Sequence, residues 1–353
     1  MWSRCFDVHS NWTSLVMDNS ALPTIAVTMG DPAGIGPEVV ARAMVRPDVN
    51  AICRPIVFGD RLWMQQTFAW LGTDVELSGT SVGDRPIGRV VHITQATTED
   101  LSSVQRGHVS GVAGRAGVDF VKSAAGNVLR GEVDALVTAP LNKEAMALGG
   151  CHYPGHTELL ASITGTDRYG MLLVNGSLRV VHVSTHVSLL EAIGLVRRDR
   201  VLECIKLAHV ACLELGIDEP RIAVAGLNPH AGENGLFGRE EIEEIIPAIS
   251  EARRINLNVT GPYPPDSIFI RARNGEFDLV IAMYHDQGHI PVKLNGIDGG
   301  VNITIGLPII RVSVDHGTAF DIANLACARE DSLVQAIEVA VNLVHASNRV
   351  CRH

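Results

Sequence analysis

The chain has 353 residues, 46% hydrophobic, 19% charged and 5% aromatic, with a formal net charge of −10 from 29 Lys plus Arg against 39 Asp plus Glu. That length forms one large or two medium domains, with a core that needs no disulfide or structural metal. The acidic balance argues against binding to DNA or an anionic membrane, and the few aromatics against a base-stacking surface, although a few local cations still suffice for a small anionic substrate.

The seven cysteines are scattered and odd in number, and no two are spaced C-x-x-C. A disulfide framework or a cysteine zinc site is therefore not expected, and free cysteines fit a cytoplasmic compartment. No apolar run reaches the roughly 18 residues of a membrane span. Residues 1–20 lack the apolar core of a signal peptide and are expected to be a poorly ordered extension.

Apolar runs of strand length lie at 24–29, 55–58, 133–138, 178–183, 221–227, 278–284 and 308–314. Helical stripes lie between them. Val201, Ile205, Ala208, Cys212 and Leu215 recur at spacings of three and four, closed by Gly216. Ile242, Ile245 and Ile249 form a second stripe, which Pro247 must bend or interrupt. Leu333, Ile337, Ala340 and Val344 form a third. This alternation predicts an α/β fold, a largely parallel sheet with helices on both faces. No linker marks a boundary, as in a chain that crosses between two domains more than once.

The motifs follow in chain order. MGDPAGIGPE at 29–38 is a turn leading into a helix start at Pro37–Glu38. It lacks the third glycine of a Rossmann fingerprint, and no Walker A motif occurs. TAPLNKEA at 138–145 follows a strand, and its Lys143 reads either as a substrate or proton-transfer residue or as a solvent-facing helix lysine. PGHTE sets His156 and Thr157 at a helix start, an anion site or simply a cap.

Three histidines then follow strand-like runs: His186 after LRVVHVST, His230 after RIAVAGLNP and His285 after DLVIAMY. Alternation places His182, Ser184 and His186 on one strand face. Ligands of open α/β sheets bind beyond the carboxyl ends of the strands. Three imidazoles delivered there suit one divalent metal with an open position. Gly232 and Gly235 permit a tight loop around His230, Asp286 can orient His285, and His289 is a neighbour. Lys293, Asn302 and Arg311 come last. Lys293 and Arg311 sit in segments that look buried, where a cation needs an anionic partner: a substrate phosphate or carboxylate, or a structural ion pair.

Together these segments resemble the 4-hydroxythreonine-4-phosphate dehydrogenase family of vitamin B6 synthesis. The segments are TMGDPAGIGPE, TAPLNKEA, YPGHTELL, VSTH, LNPHAGENGLFG, AMYHDQGHIPVKL, GVNITIGLP and VDHGTAFDIA, from about residue 24 to 325. The wording is most similar to the branch acting on 4-phospho-D-threonate and 4-phospho-D-erythronate. The resemblance implies an isocitrate/isopropylmalate dehydrogenase-like fold, two α/β domains around a cleft. These would span 21–150 plus 305–353 and 151–304, the second carrying the dimer contact and metal site.

It also implies a homodimer with the metal site at the subunit interface. His186, His230 and His285 would be the ligands, the last from the partner. Substrate contacts would be His156, Thr157, Lys293, Asn302 and Arg311, with NAD as hydride acceptor. Asn142 stands where some biosynthetic members have a histidine. A third branch, which oxidises terephthalate dihydrodiol, lacks the His–Thr pair that His156 and Thr157 keep here.

The expected reaction is oxidation of a phosphorylated four-carbon 3-hydroxy acid to the 3-keto acid, followed by decarboxylation. The metal is zinc, magnesium, cobalt, manganese or nickel, since imidazoles accept several. Lys293 is the first candidate to take the hydroxyl proton and Asp266 the second. Rival readings are a dihydrodiol dehydrogenase of the same family, a metal-dependent hydrolase needing no NAD, and a non-catalytic metabolite-binding protein.

Overall fold

Short β-branched and leucine-rich runs build twelve strands among the residues described by the computed structural model, 22–79, 90–296 and 300–350. The extension expected at 1–20 lies outside them. In chain order the strands are β1 (Thr24–Thr28), β2 (Arg54–Gly59), β3 (Glu76–Ser78), β4 (Val90–Gln95), β5 (Ala135–Thr138), β6 (Gly170–Asn175), β7 (Leu178–His182), β8 (Ile222–Ala225), β9 (Val259–Tyr263), β10 (Leu279–Ala282), β11 (Val301–Ile305) and β12 (Arg311–Val314).

They form one sheet in the order β3-β4-β2-β1-β5-β12-β11-β6-β7-β10-β8-β9. From β3 to β12 every pairing is parallel, and so is every pairing from β7 to β9. Only the central pairings β12–β11, β11–β6 and β6–β7 are antiparallel. The expected largely parallel α/β sheet is thus present, but its two parallel blocks run in opposite senses.

Alternation along each strand loads both faces. Ile25 and Val27 of β1 point into one apolar cluster and Ala26 into another. The first cluster runs the full width of the sheet, from Val91 and Val57 through Val137, Val312, Ile303, Leu172 and Val181 to Ile281 and Val224. It is covered by the helices Gly36–Met44, Arg198–Glu214 and Asp331–Val350. The opposite face carries two separate clusters. One joins Ala26, Phe58 and Leu136 to Val118, Val121 and Leu160. The other joins Leu173, Val180, Ala223 and Val280 to Ile268, Phe269 and Val292. Fully burying each such side chain stabilises the fold by about 1.5–3 kcal/mol.

The expected stripe at 201–215 is the helix Arg198–Glu214, followed by Gly216 at a positive φ of 80°. The interruption expected at Pro247 takes the form of a π-helical turn, Glu241–Ile245, before the helix Ile246–Arg254. Proline is tolerated in that first turn because its missing N–H would have no intrahelical partner there. No helix among the described residues is long and apolar enough to cross a membrane.

Glycine has a steric role where the helix Gly111–Leu129 meets the helix Lys143–Leu148. A Cβ at Gly114 would collide with the carbonyl of Ala145. Gly114→Ala is therefore expected to force these helices apart and to cost about 1–3 kcal/mol by overpacking. An unfolding midpoint equal to that of the unmodified protein would show that the contact yields freely.

Candidate active site between the two apolar clusters

Where the two clusters of the second face part, the strands carry polar side chains instead. Val312 of β12 points into the full-width cluster, so Arg311 and Ser313 point the other way. Register places Arg311 opposite Thr304 and Ser313 opposite Asn302 on β11, and Ser313 beside Thr138 on β5. The result is a polar strip in the middle of the sheet.

Arg311 is only 2% exposed. Its Nη1 donates to Thr304 Oγ1 at 2.8 Å and its Nη2 to Thr138 Oγ1 at 2.7 Å. Its Nε is buried without a partner, and among the described residues no carboxylate forms an ion pair with it. Burial pushes the guanidinium down to about 9, with the charge of Glu158 opposing, so it stays charged at neutral pH. A buried cation held only by two neutral hydroxyls lacks the compensation such a charge ordinarily needs.

Above this strip lies a cleft of about 160 Å³, lined among others by Thr138, Lys143, His156, Thr157, Asn302 and Arg311, and reaching His186 and His316. One wall is the start of the helix His156–Thr164, after Gly155. Thr157 is not the cap of that helix, since Gly155 holds the N-cap position and Thr157 lies inside the first turn. The first amides of a helix have no intrahelical acceptor and favour an anion. His156 Nε2 is buried and unpartnered. Desolvation, and then the charge of Arg311, hold its pKa well below the usual imidazole value. Asn302 Oδ1 is likewise buried without a partner. Four of the five residues expected to contact substrate therefore converge here.

The three expected metal-binding histidines follow three neighbouring strands, β7, β10 and β8. The strand before His186 ends at His182, so the expected strand-face alternation stops short of His186, which lies on the loop beyond. That loop is tied down by Val183 N donating to Ala282 O and Ser184 Oγ to Met283 O. His285 opens the helix His285–Leu294. Its Nδ1 lies 2.7 Å from Asp286 Oδ1, the expected orienting contact, which leaves Nε2 free for a metal. His186 and His285 have ring centroids 5.9 Å apart, and His285 stacks on His289 at 3.6 Å. His182 lies beneath, 4.7 Å from His289, with both ring nitrogens buried and unpartnered. Burial and its histidine neighbours push it down to about 3. Desolvation, then the charges of Lys143 and His285, lower the His186 pKa, with Glu158 opposing.

His230 sits apart on an exposed loop with an unusual backbone. Five consecutive residues, His230 to Asn234, have positive φ between 43° and 81°. Left-handed backbone costs non-glycine residues roughly 1–2 kcal/mol each, so it persists only where surroundings hold it. Gly232 and Gly235, expected to ease a tight loop, have φ of 81° and 95°. Among the described residues no three His, Cys, Asp or Glu of one chain form a metal-holding group. The donors nonetheless suit a divalent ion, being three imidazoles of which His285 is oriented by Asp286.

Lys293 departs from expectation. It is exposed, not buried, because it lies in the last turn of its helix, and its Nζ pairs with Asp315 Oδ2 at 3.0 Å. Asp266 is exposed in the first turn of the helix Pro265–Arg273 and does not line the cleft.

Residues 51–340 match the family profile described as "Pyridoxal phosphate biosynthetic protein PdxA". The chain belongs to the PdxA family. It is similar to the D-threonate 4-phosphate dehydrogenase of Cupriavidus necator, 46% identical over 91% of this chain and 97% of that one. It is equally similar to the 4-hydroxythreonine-4-phosphate dehydrogenase of Beijerinckia indica subsp. indica, 46% identical over 90% of this chain and 94% of the other. A solved structure of a putative 4-hydroxythreonine-4-phosphate dehydrogenase from Salmonella typhimurium superposes with a TM-score of 0.85. It is 45% identical, covering 92% of this chain and all of that one. The expected family and α/β fold are borne out, and this PdxA-family protein is an oxidoreductase acting on CH–OH.

Sequence reading missed several residues of this PdxA cleft. His316 lines it with a buried, unpartnered Nε2, and Glu158, Ser313 and Thr138 line it as well. Register and folding bring in His316, Ser313 and Thr138, while Glu158 follows Thr157 in the first turn of its helix. Asp31, in the 29–38 loop, is fully buried, and desolvation pushes it up to about 6. In that loop Cβ atoms at Gly30, Gly34 and Gly36 would press on Pro140, Thr318 and Met29. The loop is packed against protein and is no open phosphate cradle.

Arg311→Met keeps an unbranched, though shorter, side chain and removes the charge. It is expected to weaken binding of inorganic phosphate by about 1.5–3 kcal/mol, on the order of 10- to 150-fold. Calorimetry that gives an unaltered affinity would take Arg311 out of the site.

Proposed function

We propose that this enzyme oxidises a phosphorylated four-carbon 3-hydroxy acid, 4-hydroxythreonine 4-phosphate or 4-phospho-D-threonate or -erythronate, using NAD and one divalent metal. The resulting 3-keto acid then decarboxylates. The observation that carries the phosphate is Arg311: a buried guanidinium with an unpartnered Nε, under a cleft that reaches a candidate metal-binding histidine. The names of the relatives support the same substrate class.

In this reading His156, Thr157, Asn302 and Arg311 hold the phosphoryl group, with the helix start at His156 contributing backbone amides. His186, His230 and His285 hold the metal, which is zinc, magnesium, cobalt, manganese or nickel. When bound, the metal supplies a Lewis acid at the reacting hydroxyl and NAD supplies the hydride acceptor. We assign no residue to NAD.

Lys293 contacts the substrate and, as the neutral amine left once its ammonium has released a proton to solvent, takes the hydroxyl proton; its contact with Asp315 holds Nζ beside the His316 segment. Asp266, exposed and outside the cleft lining, is the second candidate for the proton. In the 3-keto product the carboxylate is β to the new carbonyl. Its C–C bond can break with the electron pair delocalised into that carbonyl, releasing carbon dioxide and leaving an enolate that takes up a proton.

We further propose that the protein works in the cytoplasm as two α/β domains, 21–150 with 305–353 and 151–304, around this cleft. It does so as a homodimer that shares the metal site, His285 of the partner subunit joining His186 and His230. Large apolar residues are exposed beside each histidine and support such a contact. Leu189 and Leu190 follow His186, Leu236 and Phe237 follow His230, and Ile290 and Leu294 lie on the helix that His285 opens. Clustered exposed apolar residues of this kind mark association surfaces.

The test is a panel of phosphorylated four-carbon hydroxy acids with NAD or NADP, read by absorbance of the reduced cofactor. Reduction should require both the phosphate and added metal. Turnover of the unphosphorylated acids at equal efficiency would sink the phosphate reading, and full activity after chelation would sink the metal. His230→Ala should abolish turnover and metal retention together while the far-ultraviolet dichroism stays unaltered.

A further inference from the structure

We propose that Glu241 is a positioning residue for the metal, setting the loop that presents His230. The inference rests on the reading of His230 as a ligand given above. Glu241 opens the π-helical turn Glu241–Ile245 and is only 2% exposed. Among the described residues it has no cationic partner. Its hydrogen bonds go to the loop instead. Oε1 accepts from Leu227 N at 2.8 Å and Asn228 N at 2.7 Å, and Oε2 accepts from Asn228 Nδ2 at 2.9 Å. These donors belong to the residues that lead into Pro229 and His230.

The loop is shaped around this carboxylate. A Cβ on Gly226 would lie 3.1 Å from Oε1, and one on Gly232 would lie 2.6 Å from Oε2. Gly232 thus makes room for Glu241, whereas a Cβ on Gly226 would first meet Ala231 Cα at 2.7 Å, so Gly226 makes room chiefly for the loop folding back past His230. The start of the loop is fixed a second way. Gln287 Nε2 donates to Gly226 O at 2.8 Å while its Oε1 accepts from Met283 N at 2.6 Å. That clamp ties the His230 loop to the segment carrying His285. His230 itself lies in the left-handed run, whose conformation local preference does not favour. The direction of its imidazole therefore depends on what grips the residues before it, and Glu241 is that grip.

The experiment uses the full-length protein, stripped with a chelator and titrated with Co²⁺ alone. It reads the dissociation constant, the visible absorption of bound cobalt and the thermal midpoint of the metal-free form. Glu241→Gln preserves shape but replaces one acceptor oxygen with an amide donor. It should weaken Co²⁺ binding about 10- to 100-fold, the usual effect of losing a residue that orients a ligand, and alter the cobalt spectrum. The metal-free midpoint should stay close to that of the unmodified protein.

His230→Ala runs alongside. If it loses the cobalt signal while Glu241→Gln keeps the original affinity and spectrum, Glu241 has no positioning role and the metal reading stands. If His230→Ala keeps the original affinity, both fall. A lowered metal-free midpoint with unaltered cobalt affinity would mark Glu241 as merely structural and also overturn the proposal. Should Glu241→Gln not fold, Glu241→Asp, which withdraws the same charge by one methylene, should weaken binding to a smaller extent, and an unchanged affinity there is equally decisive.

Discussion

On one face of the sheet, apolar side chains run unbroken across both parallel blocks; on the other they stop at β12 and β11, and a buried arginine takes their place. A guanidinium in that position is costly to desolvate. Thr138 and Thr304 satisfy two of its nitrogens but bring no charge. The cleft exists because this polar strip cannot be covered by the apolar helices that cover its neighbours. The helix His156–Thr164 instead turns its N-terminal end toward the strip, adding a second positive influence to the first.

The antiparallel centre of the sheet decides what faces that strip. Because three successive pairings, β12–β11, β11–β6 and β6–β7, are antiparallel, the second parallel block presents its carboxyl ends at the opposite edge of the sheet from the first. Three adjacent strands of that block end in histidine-bearing loops. The order β7-β10-β8 sets His285 between the other two, which accounts for the His186–His285 pair and for the separate position of His230. In the proposed reading one block grips the phosphate and the other serves the oxidised carbon. Binding energy from the unreactive end of the substrate can then position the reactive end.

Much of this was legible in the sequence, and the rest shows where local signals stop. β1, β7, β8 and β10 announce themselves because strands buried on both faces are near-continuous apolar runs. β9 was missed since VTGPY contains a glycine and a proline that read as a turn, and β3 because three residues carry no periodicity. β11 alternates as VNITI, and its Asn302 read only as a chemical group, not as a strand residue. The cleft lining was legible at His156, Thr157, Asn302 and Arg311 through residue chemistry and family wording. Lys293 was misjudged as buried, since the apolar letters around it line only one side of a helix whose last turn is open. His316 reaches the cleft only through long-range folding, as Glu241 reaches the His230 loop, whereas Glu158 follows Thr157 on the same helix start.

The unpaired groups of the cleft also bear on selectivity between family branches. Arg311 Nε and His156 Nε2 are buried with no protein partner, so whatever fills the cleft must satisfy them or leave them stranded. A phosphoryl group offers several acceptor oxygens and a compensating charge. A terephthalate dihydrodiol offers planar carboxylates instead of a tetrahedral phosphoryl group, with fewer acceptor oxygens at any one point, and so pairs with fewer of these groups at once. Sites built around buried polar groups reject ligands that cannot pair with them far more strongly than apolar pockets reject a missing methylene. On the proposed reading, discrimination against an unphosphorylated substrate is carried by what the folded chain leaves unsatisfied, and it should outlast small changes in the shape of the cleft for as long as Arg311 stays buried.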